Sequence, residues 1–499
     1  MISYLKKNYS LIIIVVFGLL YLIFLSNNPT SDSYSNAFSS LSKEDMFRPH
    51  HLLYSAFGYL VYLPFKWINI EPIKLFQTIN VLFAAGCLLV VRVMMRRIYL
   101  KEALIVASIL FIGSCFGFQR FAIDNECYII PLFFILLSMN FVQSFLIKNK
   151  FYKVVLCGLV SVIGCLFHQI AIFTLICSFF VFVFNGKWKN IITFFIISLI
   201  IPIVYSLIVF LQEETLSAQL LTNFVLHDYK TSFAEMPILK NVILLSAISF
   251  VRTFIQVHGY VFEIFSLYPV ISISVISIAI GFLIIGVYFC FKLKKRELTL
   301  FNEKRFVRYC WVMLILYFGF AAFSNGNAEF MIIIPFLIIL LLIYYFVYLR
   351  RAIFGLGLFM FIWNFLFALF PMGYMKLNSN QELYSLVIKE KEAVFVLKDK
   401  VAVDNIYAYK QLNQNISNTY KLSQVTNEQF SNWIKENKTI YTDYFGGKEV
   451  LSRANIAETK NNQIPSNSPI IKNKYRFAPK YKFNSLGQEQ EIWIYDFKK

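Results

Sequence analysis

Of the chain's 499 residues, 58% are hydrophobic and 15% charged, against roughly a quarter charged in an average soluble domain, so an ordinary soluble protein is excluded. The formal net charge of +19 sits mainly in short clusters between apolar runs, where it reports membrane orientation and not nucleic-acid binding. The eight cysteines lie within or beside apolar segments, the last being Cys310. Neither a disulfide framework nor a CxxC metal site can be read from them.

From the N-terminus, Lys6 and Lys7 precede the apolar run Leu11 to Leu25, and no small-residue cleavage site follows before Asn27. This predicts an uncleaved first span. Basic clusters recur at Lys6/Lys7, Arg92 to Lys101, Lys148 to Lys153, Lys187/Lys189, Lys292 to Arg308 and Arg350/Arg351. Placing all six in the cytoplasm requires eleven spans, near 11–26, 76–97, 102–119, 128–147, 153–167, 170–185, 190–211, 268–291, 306–323, 330–349 and 352–373. Most approach the ~20 residues that cross a bilayer. Leu52 to Trp67 is apolar enough to span but would invert every later cluster, so it is assigned to an outer-surface or re-entrant helix.

Two long outer loops result, from Asn27 to about Leu75 and from Gln212 to about Tyr268. In the second, Asn241 to Val257 is apolar with Arg252 embedded, which suits a helix lying in the headgroup plane. The short spans 153–167 and 170–185 meet at His168-Gln169, predicting a tight hairpin that turns on the outer side. Beyond Leu377 the composition becomes polar, with strand-like alternation at Ala393–Leu397, Thr439–Tyr444 and Glu491–Tyr495. The predicted fold is therefore an all-α polytopic membrane domain over 1–376 with outer interfacial helices, followed by a small soluble α/β domain over 377–499. The N-terminus is expected in the cytoplasm and the C-terminus outside it.

All five histidines, His50, His51, His168, His227 and His258, fall on the outer side of this topology, which depends on none of them. They suggest a polar site there, although loops of either side hold polar residues. The first outer loop reads Ser31-Asp32-Ser33-Tyr34, then Ala37, and later Arg48-Pro49-His50-His51-Leu52-Leu53-Tyr54. Asp124-Asn125-Glu126-Cys127-Tyr128 follows the third span, His168 closes the short hairpin, and Ala328-Glu329-Phe330 with Pro335 opens a late span.

In this order the pieces resemble the glycosyltransferase C superfamily, in its protein O-mannosyltransferase and lipid A aminoarabinose transferase branches. There an acidic motif with a following Tyr and Ala precedes a His-Pro-Pro-Leu-Tyr type segment. Departures are plain: Ser33 replaces a second acidic residue, Pro49-His50-His51 replaces His-Pro-Pro, and Glu126 stands where many members have Arg. The resemblance implies a polyprenyl-phosphate sugar donor in the membrane lipid, inversion at the anomeric carbon, and an acceptor that is a glycan, a lipid or a protein.

Such chemistry needs a base or aligning carboxylate for the acceptor and positive charge on the departing phosphate. Asp32 is the catalytic candidate; its plainer reading is a helix cap or turn residue. Asp124 and Glu126 are candidates to hold a divalent cation such as Mg²⁺ or Mn²⁺ with Asp32, or else are interfacial charges favoured by a helix dipole. Arg120, Arg252 and Lys240 can grip phosphate or snorkel to lipid headgroups. Tyr34, His50, His51 and His168 are candidate substrate contacts, and Glu329 a partner for sugar hydroxyls, each against ordinary interfacial packing. Two other classes fit a polytopic chain. An O-antigen polymerase or ligase would centre on arginines instead of Asp32, and a lipid-linked sugar transporter would place ionisable or Gly/Pro-broken segments at the bilayer midplane.

Overall fold

The structure is a computed structural model and describes residues 8–68, 70–98, 101–230, 239–291, 304–346, 349–412, 418–449 and 468–497. Each expected span is an apolar helix. Seven helices are long enough to cross a membrane: Pro72–Ile98, Ile129–Ile147, Trp188–Glu213, Pro269–Phe291, Lys304–Phe323, Ala328–Tyr345 and Arg350–Tyr374. The bent pair Glu102–Ser114 and Phe116–Ile123 makes an eighth, and Tyr9–Ile23, Phe151–Phe167 and Gln169–Asn185 are shorter. Large side chains such as Val15, Leu19, Ile203, Ile271 and Ile315 point outward, as a surface solvated by lipid requires. The chain is a multi-pass integral membrane protein.

Basic residues gather at one end of the bundle. Arg92 and Arg96 donate to Asn8 at 2.7 and 2.9 Å, beside the buried Glu102 that accepts from Ser10 N at 3.0 Å. Arg97 donates to Asn140 and Gln143 there. Lys6, Lys7 and residues 292–303 lie outside the described residues.

Three local features depart from the sequence expectation. The third span is not straight: it bends by 66° after Ser114. A broken helix in lipid must find other partners for its freed carbonyls. Gly113 O accepts from Tyr21 Oη and Gln119 Nε2, and Ser114 O accepts from Asn364 Nδ2 at 2.7 Å. The Leu52–Trp67 segment is no single helix but a short turn, Pro49–His51, the helix Tyr54–Tyr62 and a second turn, Leu63–Phe65. The first loop also holds a helix the sequence did not announce, Ser31–Ser42.

At the end opposite the basic residues sits a six-stranded sheet, in order β2-β1-β3-β6-β4 with β5 paired to β6. These strands are β1 (Val394–Leu397), β2 (Thr419–Lys421), β3 (Ile440–Thr442), β4 (Gly447–Lys448), β5 (Phe477–Ser485) and β6 (Gln488–Tyr495). Strands β2, β1 and β3 are parallel and joined through the helices Val401–Lys410 and Asn427–Lys435. All four β1 residues are buried, as expected of a central parallel strand covered on both faces. One of these faces shares a core with the membrane part: Tyr34, Ala37, Ile73 and Phe76 pack with Leu383, Phe395, Val403 and Ile406. The sheet is thus seated directly on the first loop.

Candidate active site

The Ser31–Ser42 helix is rich in serine, a residue that competes with the helix for backbone hydrogen bonds, so tertiary contacts hold it. Thr30 is its N-cap, accepting from Ser33 N at 3.1 Å. Asp32 therefore lies in the first turn, where the helix dipole favours a carboxylate. Tyr34 and Ala37 turn into the shared core, while Asp32 faces away from it and is exposed. Arg48 lies along the same helix, donating to Ser35 Oγ at 2.8 Å and Ser39 Oγ at 2.9 Å.

Beneath that first turn lies the Asp124–Tyr128 segment, delivered by the bent Phe116–Ile123 helix. Side-chain bonds join it to the other motif pieces. Ser33 Oγ donates to Asp124 Oδ1 at 2.9 Å, and Thr30 Oγ1 to Glu126 Oε1 at 2.6 Å. Asn125 Nδ2 donates to Ser33 O at 2.8 Å and Asn125 Oδ1 accepts from Tyr54 Oη at 2.9 Å. Tyr128 Oη donates to Glu329 Oε2 at 2.5 Å. Asn80, from the Pro72–Ile98 helix, donates to both Asp124 O and Glu126 O, at 2.7 and 2.9 Å. Segments far apart in sequence meet at one end of the bundle.

The charges interact. Burial raises the Asp32 carboxyl above its ordinary range, Glu329 adds to that, and Arg48, His50 and Arg120 oppose it. Although exposed, Asp32 stands in a crowded recess of the protein, which is why its charged form is incompletely hydrated. Glu126 is pushed well up, first by burial and then by Asp32, Asp124 and Glu329, with Arg120 again opposing. Asp124 is raised by burial and lowered by its hydrogen bonds and by Arg120. Arg120 is thus the cation common to all three carboxylates.

The hydrogen bonds around Asp124 bear on the expectation that it holds a metal with Glu126. Asp124 Oδ1 accepts from Ser33, Asn125 N and Gln77, and Oδ2 from Thr30 N. A carboxylate saturated by protein donors has little left for an ion, and it supports the N-terminus of the Ser31–Ser42 helix instead. Among the described residues no group of three or more His, Cys, Asp or Glu side chains is arranged to hold a metal.

The other candidates divide. The rings of His50 and His51 lie 4.1 Å apart and those of His50 and His168 6.4 Å apart, and of the three it is His50 whose charge acts on Asp32. His51 is buried, and burial followed by the charges of His50 and Arg48 holds it well below the usual histidine range. His168 caps Ile170 N at 3.2 Å and packs on Tyr128 and Phe330. Tyr34 receives a hydrogen bond from Gln381 and packs on Tyr409, so its side chain belongs to the seat of the C-terminal sheet. Arg252 sits over Phe116 and beside His258 and Tyr260, and His258 feels Arg120 as well. The side chain of Lys240 is outside what is described. Arg48 was missed by sequence reasoning, although it stands immediately before the Pro49-His50-His51 run.

No family model matches the chain, and no curated relative does. By fold it is similar to ArnT from Cupriavidus metallidurans in the apo state, at 8% identity and a TM-score of 0.45 with 97% of each chain covered. The same protein bound to undecaprenyl phosphate gives 8% identity and a TM-score of 0.40, again over 97% of each chain. The Archaeoglobus fulgidus oligosaccharyltransferase in complex with zinc and sulfate gives 12% identity and a TM-score of 0.42, over 86% of this chain and 67% of that one. The likeness is one of backbone course alone.

Proposed function

We propose that the protein is a membrane glycosyltransferase that moves one sugar from a polyprenyl-phosphate carrier to an acceptor at the outer face of the membrane. The observation that carries this reading is Asp32, an exposed carboxylate whose field is set by Glu329 on one side and by Arg48, His50 and Arg120 on the other. The acceptor hydroxyl gives its proton to Asp32 as its oxygen attacks the anomeric carbon from the face opposite the leaving group. The bond from that carbon to the carrier phosphate breaks, and the electron pair leaves on the phosphate oxygen. Arg48, His50 and Arg120 offer the positive charge that this departing phosphate needs, and Glu329 is placed to accept from sugar hydroxyls. Asp124 and Glu126 act indirectly, by holding the first turn that presents Asp32.

The reaction is expected to need no added metal. Purified protein incubated with radiolabelled polyprenyl-phosphate sugars should release the carrier phosphate, equally with and without a chelator. Failure to release carrier from any such donor would contradict the transfer reading. Loss of release in chelator, restored by Mg²⁺ or Mn²⁺, would instead overturn the assignment of charge compensation to Arg120.

A further inference from the structure

The first turn that carries Asp32 is held from two separate parts of the molecule. Residues three apart share a helix face, and the bonds follow that rule. Thr30 and Ser33 face the bundle: Thr30 Oγ1 donates to Glu126 Oε1 at 2.6 Å, Ser33 Oγ to Asp124 Oδ1 at 2.9 Å, and Ser33 O accepts from Asn125 Nδ2 at 2.8 Å. Ser31 and Tyr34 face the C-terminal domain: Asn405 Nδ2 donates to Ser31 Oγ at 2.9 Å and to Ser31 O at 3.2 Å, and Gln381 Nε2 donates to Tyr34 Oη. Asp32 stands on the third face and takes part in neither set of bonds. Its carboxylate stays available while the residues on both sides of it are fixed.

Asn405 lies in the middle of the helix Val401–Lys410, where asparagine is a poor choice because its amide competes for backbone hydrogen bonds. Packing does not ask for it. Val403 and Ile406 already bury that helix in the core shared with Tyr34 and Ala37, whereas the two hydrogens of the Asn405 amide nitrogen serve the side chain and the backbone of Ser31. The helix is in turn tied to the sheet, since Asp404 Oδ1 accepts from Thr419 Oγ1 of β2 at 2.7 Å. The sheet has a second seat on the bundle. Leu486, in the turn between β5 and β6, is buried with Ile264 and Phe367, and its N donates to Lys376 O at 2.7 Å. A domain seated at two separated points resists rocking about either, so the Asn405 amide keeps a set place against the first turn.

We infer that Asn405 is a positioning residue for Asp32, through which the C-terminal domain completes the catalytic turn instead of standing apart from the chemistry. The inference rests on the transfer reading, in which Asp32 takes the acceptor's proton. A misplacement of ~1 Å at a reacting group can cost ~10²-fold in rate. With Thr30 and Ser33 still held by the bundle, loss of the Asn405 bonds should cost less, about tenfold.

The test uses purified full-length protein. Asn405→Leu keeps the approximate size and favours the helix but removes both donated bonds. Hydrogen–deuterium exchange should rise in peptides covering residues 30–37 and stay unchanged over β1 and β3. Release of carrier phosphate should fall about tenfold in kcat, with KM for the polyprenyl-phosphate sugar unaltered, because Arg48 is held by Ser35 and Ser39 further along the helix. Asn405→Ala, which adds no bulk, should behave alike. Since the residue acts through Asp32, Asn405→Leu should add less than about twofold to the loss in Asp32→Asn, whereas a general structural defect would lower both backgrounds by the same factor. Unchanged exchange over 30–37, unchanged kcat in both variants, or the same factor lost in the Asp32→Asn background overturns the inference. The two readings fail separately. Absence of carrier release by the unaltered protein, with the exchange difference present, fails the transfer reading alone, whereas release at equal rates by the unaltered protein and Asn405→Leu fails this one alone.

Discussion

Asp32 and Glu329 are two carboxylates close enough to feel one another, and that proximity has a measurable consequence. A base works only when deprotonated, so the acid limb of kcat/KM against pH reports the proton equilibrium of the free enzyme's base. Since burial and Glu329 raise the Asp32 carboxyl, the limb should lie above the ordinary aspartate range, near 3.9. Glu329→Gln removes a like charge and should move the limb to lower pH; Arg48→Met removes an opposing charge and should move it higher. A limb that stays fixed in both variants would show that another group titrates. At this scale the acidic and histidine positions were legible in the order and spacing of the motifs. Which of them faced solvent was not: Asp32 and Tyr34, two apart on one helix, point in different directions, and only packing against the C-terminal sheet decides which is which. Arg48 escaped because a lone arginine before a proline carries no signal until its helix partner, Ser31–Ser42, is known.

Among elements, the bent pair matters most, because the Phe116–Ile123 helix brings both Arg120 and Asp124 to the site. Asn364 secures the break, donating to Ser114 O and Phe254 O and accepting from Gln256 N at 2.7, 2.8 and 2.8 Å. Asn364→Ala should strand these buried groups at ~1–3 kcal/mol each and lower the thermal unfolding midpoint by several degrees. Donor turnover should fall as well, since Arg120 loses its fixed placement. An unchanged midpoint would mean that the bend holds itself. The break falls at Gly113-Ser114, a pair of the kind at which helices kink, but the apolar residues on both sides made the run 102–119 read as one span. Partners that stabilise a broken helix come from residues 21, 119 and 364, and such long-range satisfaction leaves no local pattern. Eleven apolar segments, by contrast, were readable in advance, because lipid imposes both length and composition on whatever crosses it.

For the whole molecule, the described basic cluster around Arg92, Arg96 and Arg97 and the carboxylate site occupy opposite ends of one bundle, as orientation by positive charge demands. Whether the site end faces outward is accessible to labelling. Seven of the eight native cysteines are buried, so new ones stand out. A membrane-impermeant maleimide added to intact cells should label Tyr475→Cys, on the exposed face of the C-terminal part, and spare Lys150→Cys at the other end. The reverse pattern would invert the topology. The C-terminal sheet was foreseen only in outline: β1, β3 and β6 were read from alternating or apolar runs, whereas the nine-residue β5 and the short β2 and β4 were not. That its core would be shared with Tyr34, Ala37, Ile73 and Phe76 was beyond any local reading.

The assignment of Asp32 as the base is tested most directly by turnover of polyprenyl-phosphate sugar in Asp32→Asn at saturating donor. Asparagine keeps the shape and the place in the first turn but cannot take the acceptor's proton. The account predicts protein that is inserted and folded as before, with turnover lower by about 10²–10⁴-fold. Turnover near that of the unaltered protein would contradict it.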